Sequence, residues 1–232
     1  KDGFAWWIER LRCVLKTCDL VRIDHFRGFE SYWEVPGDAP NAIEGRWVKA
    51  PGRELFAAVG AKLGKVPVIA EDLGVITPEV EALRDELGLP GMKVLQFAFD
   101  GDEANTFLPH LHEKHGNYVV YPGTHDTETT LGWYRNLSAK QREQVQDYVL
   151  SYDLSVSPEE ELPWSLIALA LHSPAKLAMV ALQDVLALGN EARMNKPATT
   201  EGNWAWRYPA EALSEDLAQR QARLAAVDNR IG

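Results

Sequence analysis

The chain has 232 residues, with 24 Lys and Arg against 34 Asp and Glu, which gives a formal net charge of −10 at pH 7. Such an acidic composition disfavours binding to nucleic-acid backbones or anionic membranes, and no apolar run reaches the ~18 residues of a membrane span. Because it opens without a signal peptide and its two cysteines, Cys13 and Cys18, are too few for a disulfide framework, we expect a soluble cytoplasmic protein without nucleic-acid or membrane partners.

Helical and strand patterns alternate along the chain. The first is an amphipathic helix with apolar residues spaced three or four apart from Phe4 to Leu15, and because the sequence begins inside this pattern we expect it to be part of something longer. Further helices are predicted at about 54–63, 77–87, 138–150, 162–172 and 209–227, two of them from N-terminal capping signals. Short apolar runs that end in polar residues predict five strands, at 19–24, 66–72, 92–97, 118–121 and 177–182.

The order of these elements indicates the fold. Nearly continuous apolar strands separated by helices are typical of parallel sheet covered on both faces. Five strands are too few for a complete (β/α)₈ barrel, which takes ~250 residues. We therefore expect an α/β fold in which residues 1–232 form a single domain, the C-terminal portion of a TIM-like (β/α)₈ barrel with about five βα units. The N-terminal part of that barrel is expected to be absent.

Three predicted strands each lead into a carboxylate, Asp24, Glu71 and Asp126. In a barrel the C-terminal strand ends form the mouth that carries the active site. Glycoside cleavage with retention needs a nucleophilic carboxylate and a carboxylic acid ~5–5.5 Å apart. Arg22 lies two residues before Asp24 on the same strand, so it points to the same side and can hold that carboxylate ionised. His25 and His125 flank two of the acids and can donate to sugar hydroxyls.

Other chemistries are open to the same residues. A single acid at a strand end can be a helix cap or part of a surface ion pair, and the acids with their histidines are plausible metal ligands. However, the acids and their neighbouring histidines form no H-E-x-x-H motif and the two cysteines form no C-x-x-C motif, so we expect no metal. The sequence also lacks a G-x-S-x-G nucleophile motif, a G-x-G-x-x-G loop and a P-loop, which disfavours a serine nucleophile and a nucleotide cofactor.

Longer segments resemble the signature sequences of the 4-α-glucanotransferases, also called amylomaltases or disproportionating enzymes, of the α-amylase superfamily. The main ones are VRIDHFRGFE at 21–30, IAEDLGVITP at 69–78 and GTHD at 123–126. Shorter matches follow the family order at 32–36, 45–52, 91–97, 183–184, 191–195 and 202–207. Thr127-Glu128 departs from the Asn-Asp that the family commonly has beside the third acid.

The resemblance implies cleavage of an α-1,4-glucan and transfer of the glycosyl piece to the 4-hydroxyl of another glucan or glucose, by retaining double displacement. It implies Asp24 as nucleophile, Glu71 as general acid/base and Asp126 as transition-state stabiliser, with substrate binding by Arg22, His25, Phe97, His125 and Asn195. No cofactor is implied. The implied partners are a malto-oligosaccharide, starch or glycogen-type glucan and the missing N-terminal half of the enzyme. Plain α-glucan hydrolysis and non-catalytic glucan binding remain alternatives.

Overall fold

The computed structural model describes residues 2–113 and 116–230. The chain is mixed α/β and divides after Met92 into two compact units, each with its own apolar core. In the described residues no helix is long and apolar enough to cross a membrane.

The first unit contains helices on two short sheets. Its elements are α1 (Ala5–Val14), β1 (Val21–Ile23), β2 (Ser31–Glu34), β3 (Arg46–Lys49), α2 (Gly52–Leu63), β4 (Val68–Ala70) and α3 (Pro78–Glu86). Strands β1 and β4 pair in parallel, with Ile23 opposite Ala70, as the sequence predicts. The apolar stripe of α1 packs on α2 through Ile8, Leu11, Leu55 and Val59, which explains the helical spacing at the start of the chain.

A hairpin in the first unit was not predicted. Strands β2 and β3 pair antiparallel in a segment that the sequence indicates as loop, because Pro36, Gly37, Pro40 and Gly45 punctuate it. Both strands have only four residues. Their side chains are mostly exposed, so they lack the apolar run by which the other strands were recognised.

The remaining strands form a sheet with the order β5–β6–β7, made of β5 (Gly91–Val94), β6 (Tyr118–Tyr121) and β7 (Leu177–Ala178). Strands β6 and β7 pair in parallel. The helices of this part of the chain are α4 (Thr130–Asn136), α5 (Ala139–Leu150), α6 (Leu162–His172), α7 (Leu182–Val185) and α8 (Glu215–Val227). Helix α4 was not predicted.

Two predicted helices of the second unit, α5 and α6, have the contacts that their sequences indicate. Ser138 and Gln141 form the complete capping box at the start of α5, in which the serine hydroxyl accepts from the Gln141 N–H and the glutamine side chain accepts from the Ser138 N–H. In α6, nine of 11 residues are buried, which explains its nearly continuous apolar sequence.

Two predicted elements of the second unit were wrong in extent. The strand predicted at 177–182 ends at Ala178, and Leu182 begins helix α7, because a short apolar run alone does not distinguish strand from helix. The helix predicted from Pro209 begins only at Glu215, where the Ser214 hydroxyl accepts from the Leu217 N–H and caps it.

Candidate active site

The ends of β1 and β4 bring together four of the predicted site residues. The strands are parallel and in register, so Asp24 and Glu71 follow directly after the paired residues Ile23 and Ala70. The ladder continues past the strands, since the Glu71 N–H donates to the Ile23 carbonyl over 3.0 Å. Both acids therefore emerge at the same edge of this sheet.

Asp24 is held by an ion pair and is open to solvent. Nη1 of Arg22 lies 2.9 Å from its Oδ1, while 71% of the Asp24 side chain is exposed. The guanidinium is placed from its other side by Met92, whose sulfur lies 3.3 Å from Nε. The predicted placement of Arg22 beside Asp24 is confirmed, and the carboxylate is oriented yet accessible to a ligand.

Glu71 is oriented by main-chain donors. Its Oε2 accepts from the N–H of His25 over 2.7 Å and its Oε1 accepts from the N–H of Leu73 over 2.9 Å. His25 has a left-handed backbone, with φ of 51° and ψ of 51°, a region in which histidine is enriched among non-glycine residues. The residue after Asp24 thus binds the carboxylate of Glu71 through its backbone, and its imidazole remains exposed.

The third predicted acid, Asp126, lies in a tight turn after β6. The Thr127 hydroxyl accepts from the Thr124 N–H over 3.0 Å, and the Thr124 hydroxyl accepts from the Asp126 N–H over 3.3 Å. The unusual Thr127 therefore has a clear local function, because its hydroxyl closes the turn that carries the acid.

The Asp126 carboxylate is contacted by one side chain from the segment after α7 and by its own neighbour in the sequence. Asn195 donates from Nδ2 to Oδ1 over 2.6 Å, and Nε2 of His125 lies 3.3 Å from Oδ2. Arg193 donates to both the Asp126 and Asn195 carbonyls, over 2.7 and 2.9 Å, and so joins the two segments. The predicted residues His125, Asp126 and Asn195 lie together in the second unit, and Arg193 is a partner that the sequence did not reveal.

The imidazole of His125 stacks on an exposed tryptophan. The ring centroids of His125 and Trp204 are 5.3 Å apart at an interplanar angle of 34°. Trp204 lies in one of the motifs quoted above, but neither spacing nor residue type predicted this stacking. In the described residues no group of three or more His, Cys, Asp or Glu could hold a metal ion.

A family model described as 4-alpha-glucanotransferase matches residues 1–213. The chain belongs to the 4-alpha-glucanotransferase family.

Similar relatives carry the same description. A 4-alpha-glucanotransferase of Thermus thermophilus is 54% identical over 100% of this chain and 46% of its own length. A chloroplastic/amyloplastic 4-alpha-glucanotransferase of Arabidopsis thaliana is 46% identical over 96% of this chain and 38% of its own. An amylomaltase structure from Streptococcus agalactiae in complex with acarbose is 37% identical, with a TM-score of 0.91 over 100% of this chain and 46% of that one. The chain thus spans less than half the length of these relatives.

Two further positions in 4-alpha-glucanotransferase motifs have different surroundings. Phe97, predicted to bind substrate, is 43% exposed and packs edge-on against Phe107 at 6.0 Å. Asp184 is 2% exposed and accepts from the Thr130 N–H over 2.8 Å at the start of α4, while burial raises the pKa of its carboxyl. Phe97 is available to a ligand, whereas Asp184 anchors α4.

Proposed function

We propose that this chain carries the catalytic carboxylates of a 4-α-glucanotransferase, which cleaves an α-1,4-glucan and passes the cleaved segment to the 4-hydroxyl of an acceptor glucan or glucose. The observation that carries the proposal is the pair of acids at the ends of two hydrogen-bonded parallel strands. Arg22 forms an ion pair with Asp24, and the N–H of His25 donates a hydrogen bond to Glu71. Membership of the family supplies the reaction and the substrate class.

Asp24 is the nucleophile and Glu71 the general acid/base. Asp24 attacks C1 of the donor sugar while Glu71 gives its proton to the glycosidic oxygen, so that the C1–O bond breaks and the reducing-end fragment leaves. The remaining glycosyl group is then an ester of Asp24. Glu71, now ionised, takes the proton of the acceptor 4-hydroxyl as its oxygen attacks C1 and releases Asp24. Two inversions retain the α configuration, and we expect the two carboxyl groups to lie roughly 5–6 Å apart.

The residues of the second unit have binding roles. Asp126 hydrogen-bonds sugar hydroxyls and stabilises the positive charge that develops in the transition state. In support of this role, Asn195 and His125 contact its two oxygens and fix their direction. Asn195, His125 and the exposed ring of Phe97 provide further sugar contacts.

The rest of the enzyme completes the fold in this proposal. The chain forms the C-terminal portion of a (β/α)₈ barrel, and a segment N-terminal to it supplies the remaining strands and part of the glucan site. The support is the length of the relatives, of which this chain covers 46% and 38%. A cytoplasmic location is supported by Cys13 and Cys18, which are free thiols.

The experiment is disproportionation of maltotriose, measured as glucose and as longer oligomers. Purified chain is assayed alone and after addition of the separately produced remainder of the enzyme. We expect little transfer by the chain alone, because an open barrel leaves the acids poorly shielded from water, and restored transfer with the remainder.

Two variants make the assay specific. Asp24→Asn should abolish the restored transfer, while Asp19→Asn, which changes an exposed acid at the other end of β1, should leave it near wild type. Cleavage that yields only shorter sugars would identify a hydrolase instead. Full transfer by the chain alone would contradict the incomplete barrel.

A further inference from the structure

The hairpin of the first unit presents two tryptophans to solvent. Trp33 on β2 and Trp47 on β3 are direct cross-strand partners, with ring centroids 5.4 Å apart and an interplanar angle of 64°. They are 38% and 53% exposed. Adjacent exposed aromatic rings are a costly surface unless they bind something, because they leave apolar area in water.

The ring of Trp33 is fixed in place. Its indole N–H donates to the Ala42 carbonyl over 2.9 Å. The ring also lies so close to Gly45 that a Cβ at that position would be 2.6 Å from Cε2 and Nε1. Since the polar N–H is already satisfied within the hairpin, the exposed part of the ring offers an apolar surface that needs no polar partner.

The ring of Trp47 is connected to the candidate active site through Arg27. The Arg27 guanidinium lies 4.2 Å from the Trp47 ring centroid, a cation–π contact. Its Nη1 donates over 2.5 Å to the Val75 carbonyl, in the loop that follows Glu71. Arg27 itself lies in the turn that follows Asp24 and His25. One side chain therefore ties the hairpin to both loops that leave the predicted catalytic acids.

A charged group accompanies the two rings. The Arg27 guanidinium lies against Trp47 and carries N–H donors that can bind hydroxyl groups. Flat apolar rings beside such a donor are complementary to a sugar, which has an apolar C–H face and a rim of hydroxyls. The next cross-strand pair, Glu34 and Arg46, projects from the opposite face of the hairpin, because side chains alternate along a strand.

We propose that Trp33 and Trp47 form a glucan-binding platform, on which an α-1,4-glucan chain stacks its sugar faces before or beyond the site of cleavage. The angle between the rings fits an α-1,4-glucan, whose successive sugars turn, better than a flat β-1,4-linked chain. The ligand class rests on the proposed function, while the platform is a binding site additional to the catalytic acids and their neighbours.

The test uses ¹⁹F NMR of the enzyme labelled with 5-fluorotryptophan, in the Asp24→Asn background so that no turnover occurs. The resonances are assigned with single Trp→Phe variants. Maltoheptaose should shift the signals of Trp33 and Trp47, and cellohexaose should not. Trp6 is the internal control, because it is 59% exposed and also has a cation–π partner, Arg10, but lies on α1 without a fixed indole N–H.

Affinity provides the second readout. Trp47→Ala should weaken maltoheptaose binding roughly tenfold in calorimetry, the usual worth of an aromatic contact together with its buried area, while Trp6→Ala should leave it unchanged. Because the NMR shifts are measured on rings that are still present, the test does not depend on the folding of an alanine variant.

The outcomes separate the platform from the proposed function. Unmoved Trp33 and Trp47 signals with saturating maltoheptaose would overturn the platform, including the case in which the rest of the enzyme covers these rings. Equal shifts with cellohexaose would overturn its α-glucan specificity. Loss of the proposed function would instead appear as absence of maltotriose disproportionation by the enzyme with native Asp24, a measurement that does not involve the tryptophans.

Discussion

At the scale of single residues, the predicted acids are oriented in two different ways. Glu71 takes both of its hydrogen bonds from main-chain N–H groups, those of His25 and Leu73. Asp126 depends on side chains, chiefly Asn195. Substitution of a neighbouring side chain should therefore disturb Asp126 more readily than Glu71.

The role of Glu71 can be separated from that of Asp24 by the leaving group. Glu71→Gln should slow transfer from maltotriose by about 10²–10⁴, the usual worth of general acid–base catalysis. With a glycosyl fluoride donor, whose leaving group needs no proton, we expect a much smaller loss in the first step. Asp24→Asn is the control and should fail on both donors. Equal losses of Glu71→Gln on both would show that Glu71 is not the acid.

Asn195 offers a second test. Asn195→Ala removes the donor to Oδ1 of Asp126 and should lower kcat about tenfold or more, because a hydrogen bond to a charged group is worth ~1.5–3 kcal/mol. Asn195→Asp should be worse near neutral pH, since two carboxylates at that distance repel each other. Steady-state kinetics on maltotriose checks both, and an Asn195→Asp variant as active as wild type would contradict the Asp126 arrangement.

At the scale of elements, the sequence predicted those helices and strands that have a clear pattern in consecutive residues. The capping box at Ser138, the buried apolar run of α6 and the strand at 118–121 were recognised because each has a signal in neighbouring residues of the sequence. The β2–β3 hairpin was missed because it lacks an apolar run, and α7 was misassigned because a short apolar run alone does not distinguish strand from helix. Trp33, for example, is fixed by Ala42 and Gly45 rather than by a pattern within its strand.

Part of the candidate active site could also be predicted from the sequence, and part could not. Arg22, Asp24 and Glu71 follow from strand periodicity and position, and the structure brings them together. Arg193 bonds the Asp126 carbonyl across 67 positions of the chain, and no local signal encodes such a contact. The roles of Asn195 and Phe97 came only from family resemblance.

The capping box supports a prediction about α5. Ser138→Ala removes the acceptor for the Gln141 N–H and should lower the free energy of unfolding by about 1 kcal/mol. Lys140→Ala, an exposed change in the same turn that touches neither half of the box, should stay within roughly 0.5 kcal/mol of wild type. Urea denaturation followed by far-UV circular dichroism measures both. A Ser138→Ala variant indistinguishable from Lys140→Ala would contradict the cap.

At the scale of the whole molecule, stability should depend on pH through His112. This residue is 7% exposed, with ring nitrogens 2.8 Å from the Ser173 hydroxyl and 3.1 Å from the Phe107 carbonyl. Burial lowers its pKa from 6.5 to about 4.

Because the folded pKa is depressed, the neutral ring stabilises the native state fully above pH 6.5, and this stabilisation is lost as the pH falls towards 4. The loss amounts to at most about 3 kcal/mol. His112→Gln, which retains hydrogen-bonding groups without titrating, should flatten the curve of unfolding free energy against pH in this range. An unchanged slope would show that His112 is not responsible.

The account as a whole depends on a covalent bond between Asp24 and the transferred sugar. The most direct measurement is peptide mass spectrometry of the assembled Glu71→Gln enzyme after reaction with a glycosyl fluoride and acid quenching. We predict a mass increase of one glycosyl group on the peptide that contains Asp24. Azide added before the quench should remove this group as a glycosyl azide, because an anionic acceptor needs no general base. A glycosyl group on Asp126 or another residue, or none on any peptide while the enzyme consumes the fluoride, would contradict the account.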